Sequence, residues 1–344
     1  MIKILAGVLG VLVLAGGFVT YRAYARLKEI DPDILLQFGN HDNDPTNDVP
    51  LEEVQYNGET YYRNQNIVTL MLIGTDASDR SDREGLGARS DLMTVVAIDI
   101  KTNQVKMILC PRDTYAEVRW LNKDGSVKDN VMNKLNAAFP YGCGNQDDEM
   151  GAENVMYCVG RLLSCDGKYN IELTKYGGIN MDGIGPLTTA VGGVDVTLEQ
   201  NFPGIGKKGQ TVTLNASKAL TYCVERKTNG LDGSDTSRGK RQMTYLLGLA
   251  KKIKSMEVTS VPGVYSKVNQ YAFTNLNTDE IVAYAKLLSR VSLDNIQITQ
   301  LTGKGAMKDG RSVVVLDEQK LNETVLDAFY TKDPNVARPT ATPQ

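Results

Sequence analysis

The chain has 344 residues, of which 42% are hydrophobic, enough for one large domain or two ordinary ones and too apolar for a disordered chain. Its 38 Lys and Arg against 41 Asp and Glu repel nucleic acid in bulk, so an anionic ligand must be gripped by a local cluster. The single histidine, His41, sits in an Asn/Asp-rich stretch, which excludes Ser-His-Asp triads, Cys-His dyads and multi-histidine zinc sites.

Residues 4–20 form an uncharged run with Tyr21 and Tyr24 at its end, the lower length limit for a helix crossing a bilayer. Ala23-Tyr24-Ala25 imitates a signal-peptide cleavage pattern, but Arg22 and Arg26 flank it, which favours a retained anchor over 1–30. Lys3 precedes the run while Arg22, Arg26 and Lys28 follow it; taken alone, that balance would leave the domain in the cytoplasm. Residues 31–53, rich in Asp, Asn and Pro, read as an extended linker, and an ordered domain is expected over 54–330.

The domain opens with a predicted hairpin, Val54-Gln55-Tyr56 and Thr60-Tyr61-Tyr62 about Asn57-Gly58. The apolar run 67–73 predicts a strand buried on both faces. Strands 92–100 and 105–110, joined by a short polar turn, should pair antiparallel, so the sheet is mixed. Helices are predicted at 133–139, 151–163, 181–190, 215–223, 239–256 and 278–290, the last opened by a capping box of Asn277 and Glu280. In helix 239–256 the apolar stripe is Met243, Leu246, Leu247, Ala250 and Ile253. The expected fold is α/β, a three-layer α-β-α domain around a central mixed sheet, preceded by one N-terminal transmembrane helix. From Thr331 the composition turns to that of a flexible tail, 331–344.

Five cysteines without C-x-x-C spacing indicate neither a zinc knuckle nor a complete disulfide framework; Cys158 lies on an apolar helical stripe, and a Cys143–Cys165 pair is conceivable. The G-x-G-x-x-G at 204–209 precedes Gln210-Thr211-Val212 instead of a helix, so it reads as a turn and not as a dinucleotide cradle.

Charged residues gather at predicted strand ends: Asp76 after the first buried strand, Arg89-Ser90-Asp91 at the mouth of the second, Pro111-Arg112-Asp113 after the third. Strand ends are where crevices form on an open sheet, so two readings stand, one charge-balanced pocket or separate surface salt bridges. Downstream, Glu225-Arg226-Lys227 and Asp235-x-x-Arg238-x-x-Arg241-Gln242 put cations at a helix start, where the macrodipole disfavours them unless an anion is bound there too.

Gly74-x-Asp76, Arg89-Ser90-Asp91, Pro111-Arg112-Asp113, Lys134-Leu135-Asn136-Ala137-Ala138, Gly192-Gly193-Val194-Asp195-Val196 and Asp235-x-x-Arg238-x-x-Arg241-Gln242 together resemble the ordered signature of the LytR-CpsA-Psr proteins of bacterial envelopes, with a core at 67–254. The resemblance implies a single-pass cell-membrane protein with its domain on the extracytoplasmic side. It also implies a phosphotransferase that moves a glycopolymer, such as a teichoic acid or capsule, from an undecaprenyl-pyrophosphate carrier to a peptidoglycan N-acetylmuramic acid hydroxyl. Its partners would be the polyprenyl-pyrophosphate-linked glycan, peptidoglycan and the membrane, with no nucleic acid. By the same resemblance Arg89, Arg112, Arg226, Arg238, Arg241 and Gln242 would bind the pyrophosphate, Asp76 and Asp91 would hold Mg²⁺, and Asp113 with Arg112 would be catalytic, Asp113 as base or as the group orienting Arg112. The family pattern Tyr-x-Arg-x-Arg reads Tyr222-Cys223-Val224-Glu225-Arg226 here, so Val224 removes one expected cation, for which Lys227 could substitute only as a point charge. Two other readings use the same residues: a non-catalytic envelope regulator acting as a transcriptional attenuator, and a polyprenyl-pyrophosphate hydrolase. No basic helix-turn-helix pattern supports the first.

Overall fold

The computed structural model describes residues 32, 34–37, 51–76, 88–143, 147–256, 261–292 and 296–338. The apolar run at 4–20 lies outside them, and among the described residues no helix is long and apolar enough to cross a membrane.

Strands β1 (Glu53–Tyr56) and β2 (Glu59–Arg63) form the hairpin expected from Asn57-Gly58, both of which take positive φ, 51° and 78°. β3 (Ile67–Thr75), β4 (Ser90–Asp99) and β5 (Val105–Leu109) follow as an antiparallel meander. A second hairpin, β6 (Tyr115–Leu121) and β7 (Val127–Lys134), precedes β8 (Tyr176–Asn180), and β9 (Val194–Thr197) pairs with β10 (Thr211–Leu214). β11 (Ala272–Thr274) and β12 (Ile296–Gln300) complete a central six-stranded sheet of order β11-β8-β3-β4-β5-β12. β8 runs parallel to β3 and β12 parallel to β5, while the other neighbours are antiparallel, so the sheet is mixed. The hairpin β13 (Gly303–Lys308) and β14 (Arg311–Leu316) and the short β15 (Tyr330–Thr331) close the chain.

Alternation along β3 explains its unbroken apolar run. Leu70 and Leu72 enter one core with the helices Ile184–Ala190, Ala216–Val224, Asp235–Ser255 and Thr278–Arg290, whereas Met71 and Ile73 enter another with Asp148–Leu163 and Glu318–Phe329. Helices thus cover both faces of the central sheet. Asn277 and Glu280 make the capping box reciprocally, and Asn215 caps its helix by accepting from the Lys218 N–H.

Several expectations need correction. Residues 133–134 end strand β7, followed by a 3-10 turn Leu135–Ala137 and the helix Ala138–Cys143, because β7 is largely exposed and lacks the apolar alternation that marks a strand. Leu35 and Leu36, inside the stretch read as linker, are buried against the core from a short helix Ile34–Gln37. The tail does not fray at 331: β15 pairs with Arg63 and Tyr62, and the Asn66 amide donates to the carbonyls of Val336 and Arg338, at 3.0 and 2.8 Å. The inward side of Asp235–Ser255 is Met243, Tyr245, Leu249 and Ile253, not Leu247 and Ala250. Cys165 is a free thiol, so the Cys143–Cys165 bridge is not formed. Gly204 and Gly209 take positive φ in the loop between β9 and β10, as a turn requires.

Burial raises the thiols of Cys110 and Cys223 to about 12 and that of Cys158 to about 11. A raised acid holds its proton longer in the folded chain, so these thiols leave stability unchanged below the unfolded value of 9.0 and lower it as pH rises beyond. At pH 8, iodoacetamide followed by mass spectrometry should therefore leave Cys110, Cys158 and Cys223 unmodified until denaturant is added; rapid alkylation of the native protein would contradict their burial.

Candidate active site

The site lies where β3, β4 and β5 end. A bulge at Gly74/Thr75 carries β3 into Asp76, whose N–H donates to the Arg89 carbonyl at 3.0 Å and whose Oδ1 accepts from the Arg89 N–H at 2.6 Å. Asp76, 1% exposed, is thereby locked beside the entry to β4. Two residues into β4, Asp91 receives Arg112 from the far end of β5: Arg112 Nη1 donates to Oδ1 and Oδ2 at 2.6 and 2.5 Å. Arg238 Nη1 approaches the same carboxylate at 3.7 Å, and the three side chains are 7–15% exposed. The residues flagged at two strand ends and at a helix start, far apart in sequence, thus share one buried carboxylate.

Local chemistry explains how Arg238 arrives there. Ser234 caps the helix Asp235–Ser255 by accepting from the Ser237 N–H, and Gly239, next to Arg238, faces the end of β5. A Cβ at Gly239 would stand 2.9 Å from Leu109 Cδ2, so the missing side chain lets the helix seat on the strand that leads to Arg112. Thr94 of β4 meets Met243 Sδ at 3.6 Å one turn further on.

Asp113 lies between two cations, 2.9 Å from Lys134 Nζ and 3.6 Å from Arg112 Nε. Asn136 ties the turn down: its N–H donates to the Arg112 carbonyl at 3.0 Å, and its own carbonyl accepts from Ser90 Oγ at 3.5 Å. Its buried side-chain Nδ2 has no hydrogen-bond partner among the described residues. Neither Lys134 nor Asn136 was singled out for the site from sequence. The signal was present in Lys134-Leu135-Asn136, but a helix expected there hid the fact that Lys134 ends a strand opposite Tyr115.

The downstream group divides. Arg241, 3% exposed, spends its donors on main-chain carbonyls and one hydroxyl: Nε to Tyr222 at 2.9 Å, Nη1 to Asp232 at 3.1 Å and Ser237 Oγ at 3.3 Å, Nη2 to Glu225 at 2.5 Å. Burial lowers its pKa. Gln242 likewise donates to the Cys223 carbonyl at 3.2 Å. Arg241 and Gln242, expected to bind pyrophosphate, direct these donors to the segment that runs from the end of the helix Ala216–Val224 to Asp232. Arg226 rides on that segment, exposed, with Nε 3.4 Å from the Gly233 carbonyl. Glu225 orders the same segment: its Oε1 accepts from the N–H groups of Lys227, Arg226 and Thr228 at 2.6, 2.9 and 3.1 Å, which lowers its pKa. Arg89, half-buried at the mouth of β4, is fixed there through its backbone. Val224 is the last residue of the helix Ala216–Val224 and packs against the core.

Two carboxylates, Asp76 and Asp91, reach the same pair of strand ends, and no cluster of three or more metal-ligating side chains occurs among the described residues. Two hard oxygen donors suit Mg²⁺, which takes one or two carboxylates and completes its shell with water and substrate phosphate, so the residues fit that ion and not zinc.

The chain matches the profile of the LytR_cpsA_psr family over residues 37–328. It belongs to that family. Among curated proteins it is 28% identical over 306 residues to the polyisoprenyl-teichoic acid–peptidoglycan teichoic acid transferase TagU of Bacillus cereus, covering 87% of this chain and 86% of that one. The transferase of the same name from Enterococcus faecalis is 28% identical over 265 residues, 75% of this chain and 77% of that one. Among solved structures, one described as a transcriptional regulator from Enterococcus faecalis superposes with a TM-score of 0.59 at 26% identity, over 77% of this chain and 87% of the other. Bacillus subtilis TagU shares the fold, with a TM-score of 0.57 at 20% identity over 81% of this chain and its own full length.

Removing Asp91 leaves two buried guanidinium groups without their shared carboxylate. Asp91→Ala should lower unfolding stability by about 3 kcal/mol in urea titration; a loss below about 1 kcal/mol would mean that the cluster is solvated.

Proposed function

We propose that this protein is a phosphotransferase that moves a glycopolymer from an undecaprenyl-pyrophosphate carrier to a peptidoglycan hydroxyl, the C6 hydroxyl of N-acetylmuramic acid. One observation carries the reading: two arginines from separate stretches converge on one buried carboxylate. Asp91 holds the two guanidinium groups side by side, and a guanidinium fork is the side chain whose geometry best matches a phosphate.

In the reaction the acceptor hydroxyl oxygen attacks the sugar-side phosphorus and forms a new O–P bond. The bond from that phosphorus to the bridging oxygen breaks, polyprenyl phosphate leaves with the electron pair, and the hydroxyl proton passes to the departing phosphate or to water. Such transfers proceed mainly by positioning and charge neutralisation, which is what Arg112 and Arg238 supply, with Arg89 at the rim and Arg226 on the adjacent loop. Arg241 and Gln242 act indirectly, by holding that loop. Asp113, clamped between Lys134 and Arg112, is a poor base, so its part is to orient Arg112, the second of the roles expected for it. Mg²⁺ held by Asp76 and Asp91 would add charge neutralisation on the phosphate oxygens. The uncharged run at 4–20 supports an anchor that keeps the domain at the outer membrane face, where lipid carrier and peptidoglycan meet.

Purified full-length protein, given a lipid-pyrophosphate-linked sugar, Mg²⁺ and a peptidoglycan oligomer, should yield the linked product. Free sugar phosphate would indicate a hydrolase, and no turnover a non-catalytic protein. Arg112→Ala should reduce transfer by at least about 100-fold. Asp76→Asn should abolish the rise in unfolding midpoint that Mg²⁺ gives in the presence of a short polyprenyl pyrophosphate; an unchanged rise would remove Asp76 from the metal site.

A further inference from the structure

The segment beyond the signature core ends in a feature that the transfer chemistry leaves unused. Strands β13 and β14 form a two-stranded ribbon outside the central sheet, and its tip and one edge carry Lys304, Lys308 and Arg311, all exposed. None of the three makes an ion pair among the described residues. The ribbon's one carboxylate, Asp309, is taken up by the Tyr115 hydroxyl at 2.8 Å. In a chain of net charge −3, a ribbon that sets three exposed cations against one carboxylate is a local reversal of sign.

The ribbon is also built into the site. The Val314 N–H donates to the Asp113 carbonyl at 2.8 Å, Thr114 bridges Val314, and just before the ribbon the Leu301 N–H donates to the Leu109 carbonyl at 3.0 Å. Asp309 binds Tyr115, two residues after Asp113, so tip and base both fasten to the turn that presents Arg112. Strand register places Lys304, Lys308 and Arg311 on one side of the ribbon, since Lys308 faces Arg311 and Lys304 follows at the same parity. Lys304 and Lys308 lie about 13 Å apart along the strand.

We propose that this ribbon is the docking track for the glycopolymer itself, binding the repeating phosphodiesters of an anionic chain as it leads away from the pyrophosphate pocket. The inference rests on the transferase reading for its substrate and on the ribbon's charge and attachment for its place. Point charges on flexible stems, set at intervals, suit a repeating phosphate backbone better than a single ligand, and they give binding that weakens steeply with salt.

The test compares wild-type full-length protein with the variant Lys304→Glu/Lys308→Glu/Arg311→Glu, whose exposed positions should leave the unfolding midpoint unchanged. The probe is a lipid-free poly(glycerol phosphate) oligomer, followed by fluorescence anisotropy at two salt concentrations. The wild type should bind in a salt-sensitive manner, and the variant at least about tenfold more weakly. Equal binding by the two overturns the proposal. So does a variant that loses phosphatidylglycerol vesicles but keeps the oligomer, which would make the ribbon a membrane contact. A lipid-linked disaccharide without polymer separates the two levels: the variant should transfer it at the wild-type rate. Failure of the wild type to transfer any donor would sink the transferase reading, while oligomer binding would still report on the ribbon.

Discussion

The site depends on one carboxylate. Asp91 accepts Arg112 on both oxygens and lies within reach of Arg238, with all three side chains largely withdrawn from water. Two guanidinium groups at such a distance would repel each other, and an arginine in the first turn of a helix also opposes the helix dipole. A shared anion reverses both terms. It also fixes where the end of β5 and the start of the helix Asp235–Ser255 stand relative to each other, so the ion cluster fastens the helical layer to the sheet.

Around that carboxylate the chain uses small and polar residues to hold charged ones in place. Gly239 lets the helix settle on Leu109. Lys134 and Arg112 share Asp113, and Asn136 bonds the turn that carries them. Arg241 and Glu225 hold the segment from Tyr222 to Asp232, one by donating to its carbonyls and the other by accepting from its N–H groups. A buried arginine that spends most of its donors on main-chain carbonyls serves as scaffold for the segment it holds.

Much of this was legible before any coordinates. The Asn57-Gly58 hairpin, the doubly buried β3, the antiparallel pair β4 and β5 and the capping box at Asn277 each rest on a local rule that the tertiary structure does not oppose. Of the strand-end charges, Asp91 and Arg112 pair directly, and Arg238, read as a helix-start cation, comes to the same carboxylate. What failed has physical causes. β7 is exposed over most of its length, so its sequence carries no alternation. Leu35-Leu36 and the stretch about Ala337 are short apolar islands in polar surroundings, and their burial depends on distant partners. Arg241 and Gln242 could not be told from ligand-binding residues, because a motif gives residue type and spacing but not which way a donor points.

The central claim is that Arg112 and Arg238 act on one anion. It is tested most directly by a double-mutant cycle on binding of a short polyprenyl pyrophosphate, using Arg112→Gln, Arg238→Gln and the double variant, with affinities from titration calorimetry. If both guanidinium groups face the same diphosphate, each single change weakens binding by about tenfold or more, and the double change departs from the product of the two. Affinities that stay at the wild-type value in either single variant, or losses that multiply independently, would place the two arginines in separate environments and contradict the account.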